Sequence, residues 1–227
     1  HKTAILATLS AGQFVDFNKI HISGIRAIEQ IDIKMAKEMN CSIKLLGIFR
    51  RAGDRVDVRV HPALLPNDHL LSSVNGVLNA VYLDATNIGP TLMTGAGAGK
   101  LPTASAVVAD IVSIARGITS GRVQPPPLSF FSKKNEAVLM PIEELKSRYY
   151  IRLTMSDRTG VLAAITQLFK QHSISVKTMR QNPLNDDKAT ILFTTHECCE
   201  VDLQKAIAQI DQLSESLSPA RVIRFEE

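Results

Sequence analysis

The hydrophobic pattern of residues 148–227 constrains the fold more than any other feature of this sequence. Apolar and polar residues alternate over 149–155, which is typical of a half-buried strand, and residues 161–169 place apolar side chains on one face of a helix. Further patterns predict two strands, a second helix and a last strand, at residues 174–178, 190–195, 203–210 and 222–225. This order of elements in about 80 residues predicts a ferredoxin-like βαββαβ domain.

The preceding part of the chain mixes helix and strand patterns. Helical spacing occurs at residues 2–9, 31–39 and 103–116, and strand patterns occur at 43–49, 56–60, 77–83 and 90–94. Because strands and helices do not alternate one for one, the fold class is predicted as α+β with a mixed sheet, rather than a doubly wound parallel sheet.

A domain boundary is predicted near residues 120–147. The three prolines at residues 125–127 cannot continue a helix and favour an extended chain. We therefore predict a first domain over residues 1–120, a linker over 121–147 and a second domain over 148–227.

The charge balance and composition exclude several classes of partner. The chain has 26 Lys+Arg, 22 Asp+Glu and a net charge of +4, and it has no tryptophan. The basic excess is scattered over residues 1–147, without the basic stripe or stacking motif of a nucleic-acid binder, so no nucleic-acid partner is expected. No run of about 18 apolar residues is present, so no membrane-spanning helix is expected.

The cysteines indicate a reducing compartment. Cys41, Cys198 and Cys199 are odd in number and two of them are adjacent, which argues against a disulfide framework and favours reduced thiols in the cytoplasm. The C-x₂-C spacing of zinc sites is missing, so no metal site is predicted.

A glycine-rich segment at residues 95–99 joins a predicted strand to a predicted helix. It fails the P-loop pattern at Thr94 and Leu101, and it fails the Rossmann pattern at Lys100. Two interpretations stay open on the residues alone, a tight structural turn or a backbone that approaches a ligand closely. Lys2 opens a helical segment, and its spacing alone indicates only a solvated lysine.

Four segments, in this order, resemble bacterial homoserine dehydrogenase: HISGIRAI (21–28), IKLLGIFRRAGDRVDVRVHPALLP (43–66), VNGVLNAVYLD (74–84) and GAGAGKLPTASAVVADIVSIAR (95–116). The second domain, with DRTGVLAAI at 157–165, resembles an ACT domain, a module that commonly follows the catalytic part in this family. The resemblance covers nearly the whole chain.

The resemblance implies NAD(P)-dependent interconversion of L-homoserine and L-aspartate 4-semialdehyde. HKTAILA resembles the family's helix with a catalytic lysine, which corresponds to Lys2, and a lysine ammonium can hydrogen-bond the reacting oxygen and supply its proton. Gly97 and Gly99 are expected to touch the cofactor, NADP or NAD. The family's opening Rossmann domain is not in this sequence, so that domain is expected to bind most of the cofactor and the 227-residue chain alone is expected to be inactive.

The resemblance also implies that the ACT domain senses an amino acid, with threonine as the expected effector. Asp157, Gly160, Val161 and Leu162 are the expected effector-binding residues, because a helix N-terminus suits a carboxylate. The glycine that is common after the first helix of such modules is Ser173 here.

We therefore expect an enzyme of threonine, methionine and isoleucine biosynthesis, cytoplasmic and a homodimer or higher homo-oligomer. The helix from Thr103 is expected to pack back onto the dinucleotide-binding domain. The alternative hypothesis is a non-catalytic, amino-acid-binding regulatory or assembly module built from the same pieces.

Overall fold

The structure is a computed structural model that describes residues 1–121, 135–185 and 187–226. The helices are α1 (Lys2–Ala11), α2 (Gln30–Glu38), α3 (Lys100–Thr119), α4 (Val161–Gln171) and α5 (Glu200–Asp211). The strands are β1 (His21–Ile22), β2 (Cys41–Ala52), β3 (Arg55–Pro66), β4 (Leu78–Ala85), β5 (Gly89–Ala96), β6 (Lys146–Ser147), β7 (Tyr149–Ser156), β8 (Val176–Asn185), β9 (Lys188–Thr195), β10 (Cys198–Cys199) and β11 (Ser216–Phe225).

The predicted βαββαβ order is confirmed in the last part of the chain, as β7-α4-β8-β9-α5-β11. The alternating residues of β7 place Ile151 and Leu153 under the two helices, where Ile165 of α4 and Leu203 of α5 are also fully buried. Phe169 and Phe193 meet edge-to-face at 5.2 Å between ring centroids, a favourable aromatic geometry. The hydrophobic pattern thus predicts both the elements and the face of the sheet that they cover.

One sheet runs through both parts of the chain, with strand order β1-β3-β11-β7-β9-β8 and β2 paired to β3. The antiparallel β2–β3 hairpin turns at Gly53, whose φ of +65° favours glycine. The opposite edge of β3 is shared by β1 and β11, which both pair with it in parallel. The overall class, α+β with a mixed sheet, is as predicted.

Helix α2 covers the other face of the sheet where β7, β9 and β11 lie. Met35 and Ala36 of α2 pack in one buried cluster with Tyr150, Leu192 and Ile223. The two faces of this sheet are therefore buried against different parts of the chain, α4 and α5 on one side and α2 on the other.

Part of the predicted linker is packed against the first part of the chain. Ala137 is buried with the residues that cover α1, and residues Phe14 and Val56 form isolated bridges to Glu136 and Leu139. The prolines at 125–127 lie outside the described residues, and the proposed division into domains at 120 and 148 stays a prediction.

Candidate functional site

Lys2 is the first residue of α1, and its side chain is exposed. The ring of His1 stacks on that of Phe17 with centroids 4.2 Å apart. Ile5 and Leu6, one turn further along the helix, are 52% and 47% exposed. The first turns of α1 therefore present an ammonium group beside an open apolar face, the kind of surface that a ligand or another part of a protein covers.

The opposite face of α1 is made of small residues. Ala4, Ala7 and Ala11 are buried against Val56 and Val58 of β3. Alanine side chains are small, so the axis of α1 lies close to the sheet. A small movement of α1 toward the sheet would therefore clash with the backbone or with branched side chains of the strands.

Gly97 and Gly99 lie between the β4–β5 hairpin and α3. The Gly97 N–H donates to the Val77 carbonyl at 3.2 Å, and a Cβ at position 97 would lie 1.8 Å from Nδ2 of Asn79. Gly99 has φ of +121° and precedes the first residue of α3. Packing and backbone conformation therefore require these two glycines, so the interpretation of this segment as a tight turn has a physical basis.

The start of α3 has properties that favour an anion. No side chain caps the first turn of α3, and that turn contains no acidic residue, so its free N–H groups and the exposed Lys100 favour an anion. Because the Gly97 N–H is already bonded, contact of Gly97 with a cofactor is restricted to its Cα and carbonyl.

Lys2 and the glycine segment are supported by different elements. Helix α1 lies on β2 and β3, whereas the β4–β5 hairpin contacts the short 3₁₀ helix Leu70–Ser73. Lys44 of β2 ties that region down, since its ammonium donates to the Val74 carbonyl at 2.6 Å and to Asn75 Oδ1 at 2.9 Å. Within the described residues, no hydrogen bond or ion pair joins Lys2 to Gly97 or Gly99.

Helix α3 has no buried residue. Its apolar residues are open to solvent, among them Val107, Val108, Ile111 and Ile114 at 53–60% exposure. By length and composition alone, α3 is long and apolar enough to cross a membrane, although it contains no run of about 18 apolar residues. This is weak evidence for a membrane span, since a helix that packs in the interior of a soluble protein passes the same test. The expectation that no helix spans a membrane stays a prediction.

The second candidate site is the turn between β7 and α4. It brings together the four predicted effector-binding residues, Asp157, Gly160, Val161 and Leu162. Asp157 Oδ1 accepts a hydrogen bond from Gln181 at 3.0 Å, and Gly160 precedes α4 with φ of +95° and no side-chain cap. Val161, the first residue of α4, is buried in the core between the helices and the sheet, and Leu162 is partly buried against the same core. The free N–H groups at this helix start suit a carboxylate.

Ser173 has a positive φ of 56°, one of two such residues other than glycine in the described chain. That conformation favours glycine, because a side chain at positive φ crowds the backbone. Serine keeps the turn after α4 at some conformational cost.

A buried polar cluster joins α2 to the second domain. Asp32 of α2 is fully buried and accepts hydrogen bonds from the Tyr150 hydroxyl at 2.9 Å and from Arg152 Nε at 2.8 Å. Arg152 also reaches Glu29 at 2.7 Å, but the Glu29 side chain is 60% exposed. Burial, reinforced by Asp32, raises the pKa of Tyr150 well above its usual range. We call Asp32, Tyr150, Arg152 and Glu29 the α2 joint.

A second buried cluster links the end of β11 to β3. Glu226 accepts hydrogen bonds from Arg59 at 2.8 Å and from Arg50 at 2.9 Å. His61 lies in the same cluster, where Arg59 Nε donates to its Nε2 at 3.0 Å. Burial lowers the pKa of His61 to about 4, so the ring is neutral near pH 7 and Nδ1 donates to the Pro62 carbonyl.

The cysteines lie at structural positions. Cys198 and Cys199 form β10, which pairs with β6, and burial raises the pKa of the Cys198 thiol to about 11. Across residues 1–121, 135–185 and 187–226, no three His, Cys, Asp or Glu side chains are arranged to hold a metal ion.

Several residues that shape these sites are not singled out by the sequence. Asn79 against Gly97, Lys44 below the hairpin and Gly47 against α1 lie within the segments that carry the family resemblance, but residue type and spacing do not mark them individually. Asp32 and Arg152 are 120 positions apart, so only the fold brings their charges together. In the sequence, Asp32 and Arg152 are marked by being isolated charged residues within amphipathic patterns.

Comparison with known proteins gives matches to both parts of the chain. Residues 1–112 match the family model described as homoserine dehydrogenase, and residues 149–215 match that of the ACT domain. The homoserine dehydrogenases of Neisseria gonorrhoeae and Helicobacter pylori are each 40% identical, over 100% of this chain and 53% and 52% of their own lengths. The chain spans about half the length of the curated relatives it matches.

A solved structure is similar over the same extent. The crystal structure of a homoserine dehydrogenase from Thiobacillus denitrificans superimposes with a TM-score of 0.84 at 37% identity. The superposition covers 100% of this chain and 52% of that one.

Proposed function

Since this chain belongs to the homoserine dehydrogenase family and carries an ACT domain, we propose that it supplies the substrate-binding and sensing parts of an NAD(P)-dependent homoserine dehydrogenase. The reaction interconverts L-homoserine and L-aspartate 4-semialdehyde, within threonine, methionine and isoleucine biosynthesis. The observation that carries the proposal is Lys2, which stands exposed on the first turn of α1 inside the matched residues 1–112, beside an open apolar face.

Lys2 is proposed as the group that moves the proton. A bound nicotinamide cofactor would supply the hydride chemistry, at the carbon that carries the hydroxyl group of homoserine or the aldehyde oxygen of the semialdehyde. In the reductive direction the substrate oxygen gains negative charge, and the Lys2 ammonium hydrogen-bonds that oxygen and donates a proton to it. In the oxidative direction the neutral Lys2 amine accepts the hydroxyl proton.

The segment at residues 95–99 is proposed as a secondary contact for the cofactor, NADP or NAD. The free N–H groups at the start of α3 and the positive charge of Lys100 favour a phosphate, and Gly99 brings backbone close to it. Most of the binding is assigned to a dinucleotide-binding domain of the same enzyme, outside the 227 residues.

The open apolar faces of α1 and α3 are proposed to be covered in the working enzyme. Packing of α3 onto the dinucleotide-binding domain hides its exposed valines and isoleucines, and gives a better account of its composition than a membrane does. A homodimer or higher homo-oligomer in the cytoplasm is proposed, which is compatible with three free cysteines.

The second domain is proposed to sense an amino acid, with threonine as the first candidate. The uncapped N-terminus of α4 offers N–H groups to the ligand carboxylate, and the Asp157 carboxylate is placed to attract the ligand amine. The effector thus binds to Asp157, Gly160, Val161 and Leu162, at the end of β7.

The proposal is tested on the purified full-length dehydrogenase that contains this chain. Addition of L-homoserine and either nicotinamide cofactor should produce reduced cofactor, followed by its absorbance. L-2-aminobutyrate, which lacks the hydroxyl group, should give none. Threonine binding without any homoserine-dependent reduction would contradict the proposal and support the alternative, a non-catalytic regulatory or assembly module.

A further inference from the structure

The first turn of α1 touches β2 at Gly47. A Cβ placed on Gly47 would lie 2.1 Å from Oγ1 of Thr3, well inside the 3.0 Å below which real Cβ contacts essentially do not occur. Thr3 follows Lys2 directly in the helix. A side chain at position 47 would therefore push against the turn of α1 that carries Lys2.

Neither backbone conformation nor burial explains a glycine at this position. Gly47 is not among the described glycines with positive φ, so another residue could adopt its backbone conformation without strain. It is also exposed, in the middle of a twelve-residue strand, where glycine weakens a sheet. The space occupied by Thr3 is what excludes a side chain.

The other end of α1 is held by the same strand. The Arg51 guanidinium donates to the carbonyls of Ser10 and Ala11 at 3.0 and 3.2 Å, two acceptors that the helix itself leaves free. Gly47 and Arg51 are four residues apart on β2 and therefore point to the same face. One strand thus fixes both the first and the last turn of α1.

We infer that Gly47 is a positioning residue for Lys2. Gly47 sets the distance of the first turn of α1 from the sheet, and this distance sets the position of the Lys2 amine. This inference rests on the proposed function. A side chain at position 47 pushes the first turn of α1 away from the sheet, while Arg51 and the buried Ala7 and Ala11 hold the rest of the helix in place. The displacement falls on Lys2 and its reacting atom.

The test uses four variants of the full-length dehydrogenase, Lys2→Ala, Gly47→Ala, Thr3→Ala and the double variant Gly47→Ala/Thr3→Ala. Relief of the contact in Gly47→Ala needs a shift of about 1 Å, which should lower kcat by about 10- to 100-fold and change KM for homoserine by less than about threefold. Removing the Thr3 hydroxyl and methyl leaves the two Cβ atoms 3.2 Å apart, a contact that small adjustments accommodate. The double variant should therefore return to within about threefold of Thr3→Ala.

If Gly47→Ala does not fold, folding itself is the readout: the double variant Gly47→Ala/Thr3→Ala, which lacks the overlapping Oγ1, should fold and keep kcat within about threefold of Thr3→Ala. A double variant that also fails to fold overturns the inference. The inference is overturned if Gly47→Ala has a normal kcat, or if adding Thr3→Ala does not restore the lost kcat. In either case a low kcat in Lys2→Ala still upholds the proposed function. Normal kcat in Lys2→Ala overturns both.

Discussion

Neutralising Asp32 should destabilise the 227-residue chain far more than neutralising Glu29, although both carboxylates bind the same guanidinium. Asp32 is fully buried and accepts hydrogen bonds from Tyr150, from Arg152 and from the backbone N–H of Glu29. In Asp32→Asn, Arg152, whose side chain is 7% exposed, loses its buried counter-charge. Breaking a buried pair in this way costs about 3–5 kcal/mol.

Glu29→Gln is the matched control. The Glu29 side chain is 60% exposed, so solvent screens its pair with Arg152 and the expected cost is about 1 kcal/mol or less. Replacing both partners, as in Asp32→Leu/Arg152→Met, should recover part of the loss because no unpaired buried charge remains.

The assay is urea unfolding followed by far-ultraviolet circular dichroism, since the chain has no tryptophan. With a slope of roughly 2–3 kcal/mol/M, Asp32→Asn should lower the midpoint by about 1–2 M, and Glu29→Gln by less than about 0.5 M. Equal midpoint shifts for the two variants would refute the assignment of the α2 joint as a buried charge cluster.

Two further predictions concern acid stability and effector binding. His61 has a folded pKa of about 4, below its ordinary value of 6.5, so the unfolded chain binds the additional proton and stability is lost as pH falls from about 6.5 to 4. His61→Gln should therefore show a flatter dependence of unfolding free energy on pH in that window, and an unchanged slope would contradict the burial of a neutral ring. Threonine should raise the melting temperature, by an amount equivalent to about 2.7 kcal/mol at 100 times its Kd, and Asp157→Ala should reduce this shift. Absence of any shift at saturating threonine would argue for another effector or a purely structural domain.

The hydrophobic periods predict most elements because each strand or helix buries one side. Differences occur where local signals compete with packing. The last strand was predicted from residue 222, after the stop expected at Pro219, but β11 begins at Ser216. Its pairing with β7 shifts register between Ser218 and Arg221, so the proline occupies an irregular stretch where a missing N–H is tolerated.

The start of α3 differs for a similar reason. Pro102 and Thr103 predict a helix from Thr103, whereas the helix begins at Lys100. Gly99, with its φ of +121°, ends the preceding extended segment, and a proline in the first helical turn loses no hydrogen bond because N–H groups there have no partner within the helix.

The candidate site was only partly accessible from the sequence. Lys2 and the turn at residues 157–162 were found through a family resemblance, because a lone lysine or a short turn has no distinctive spacing. Gly47 and Thr3 are 44 positions apart, and their contact depends on how closely α1 approaches β2. The distance between α1 and β2 depends on how the small alanines of α1 pack on the sheet, and no local sequence pattern indicates that packing.

The most direct test of Lys2 as the proton-transferring group is the turnover of the full-length dehydrogenase with Lys2→Ala. Because a positioned acid–base group contributes about 10²- to 10⁴-fold, kcat should fall by that order while the Kd for homoserine changes by only a few-fold. Lys34→Ala serves as the control, because Lys34 is an exposed lysine on a different helix, α2. This variant should behave as the unmodified enzyme. An unchanged kcat in Lys2→Ala would contradict the account.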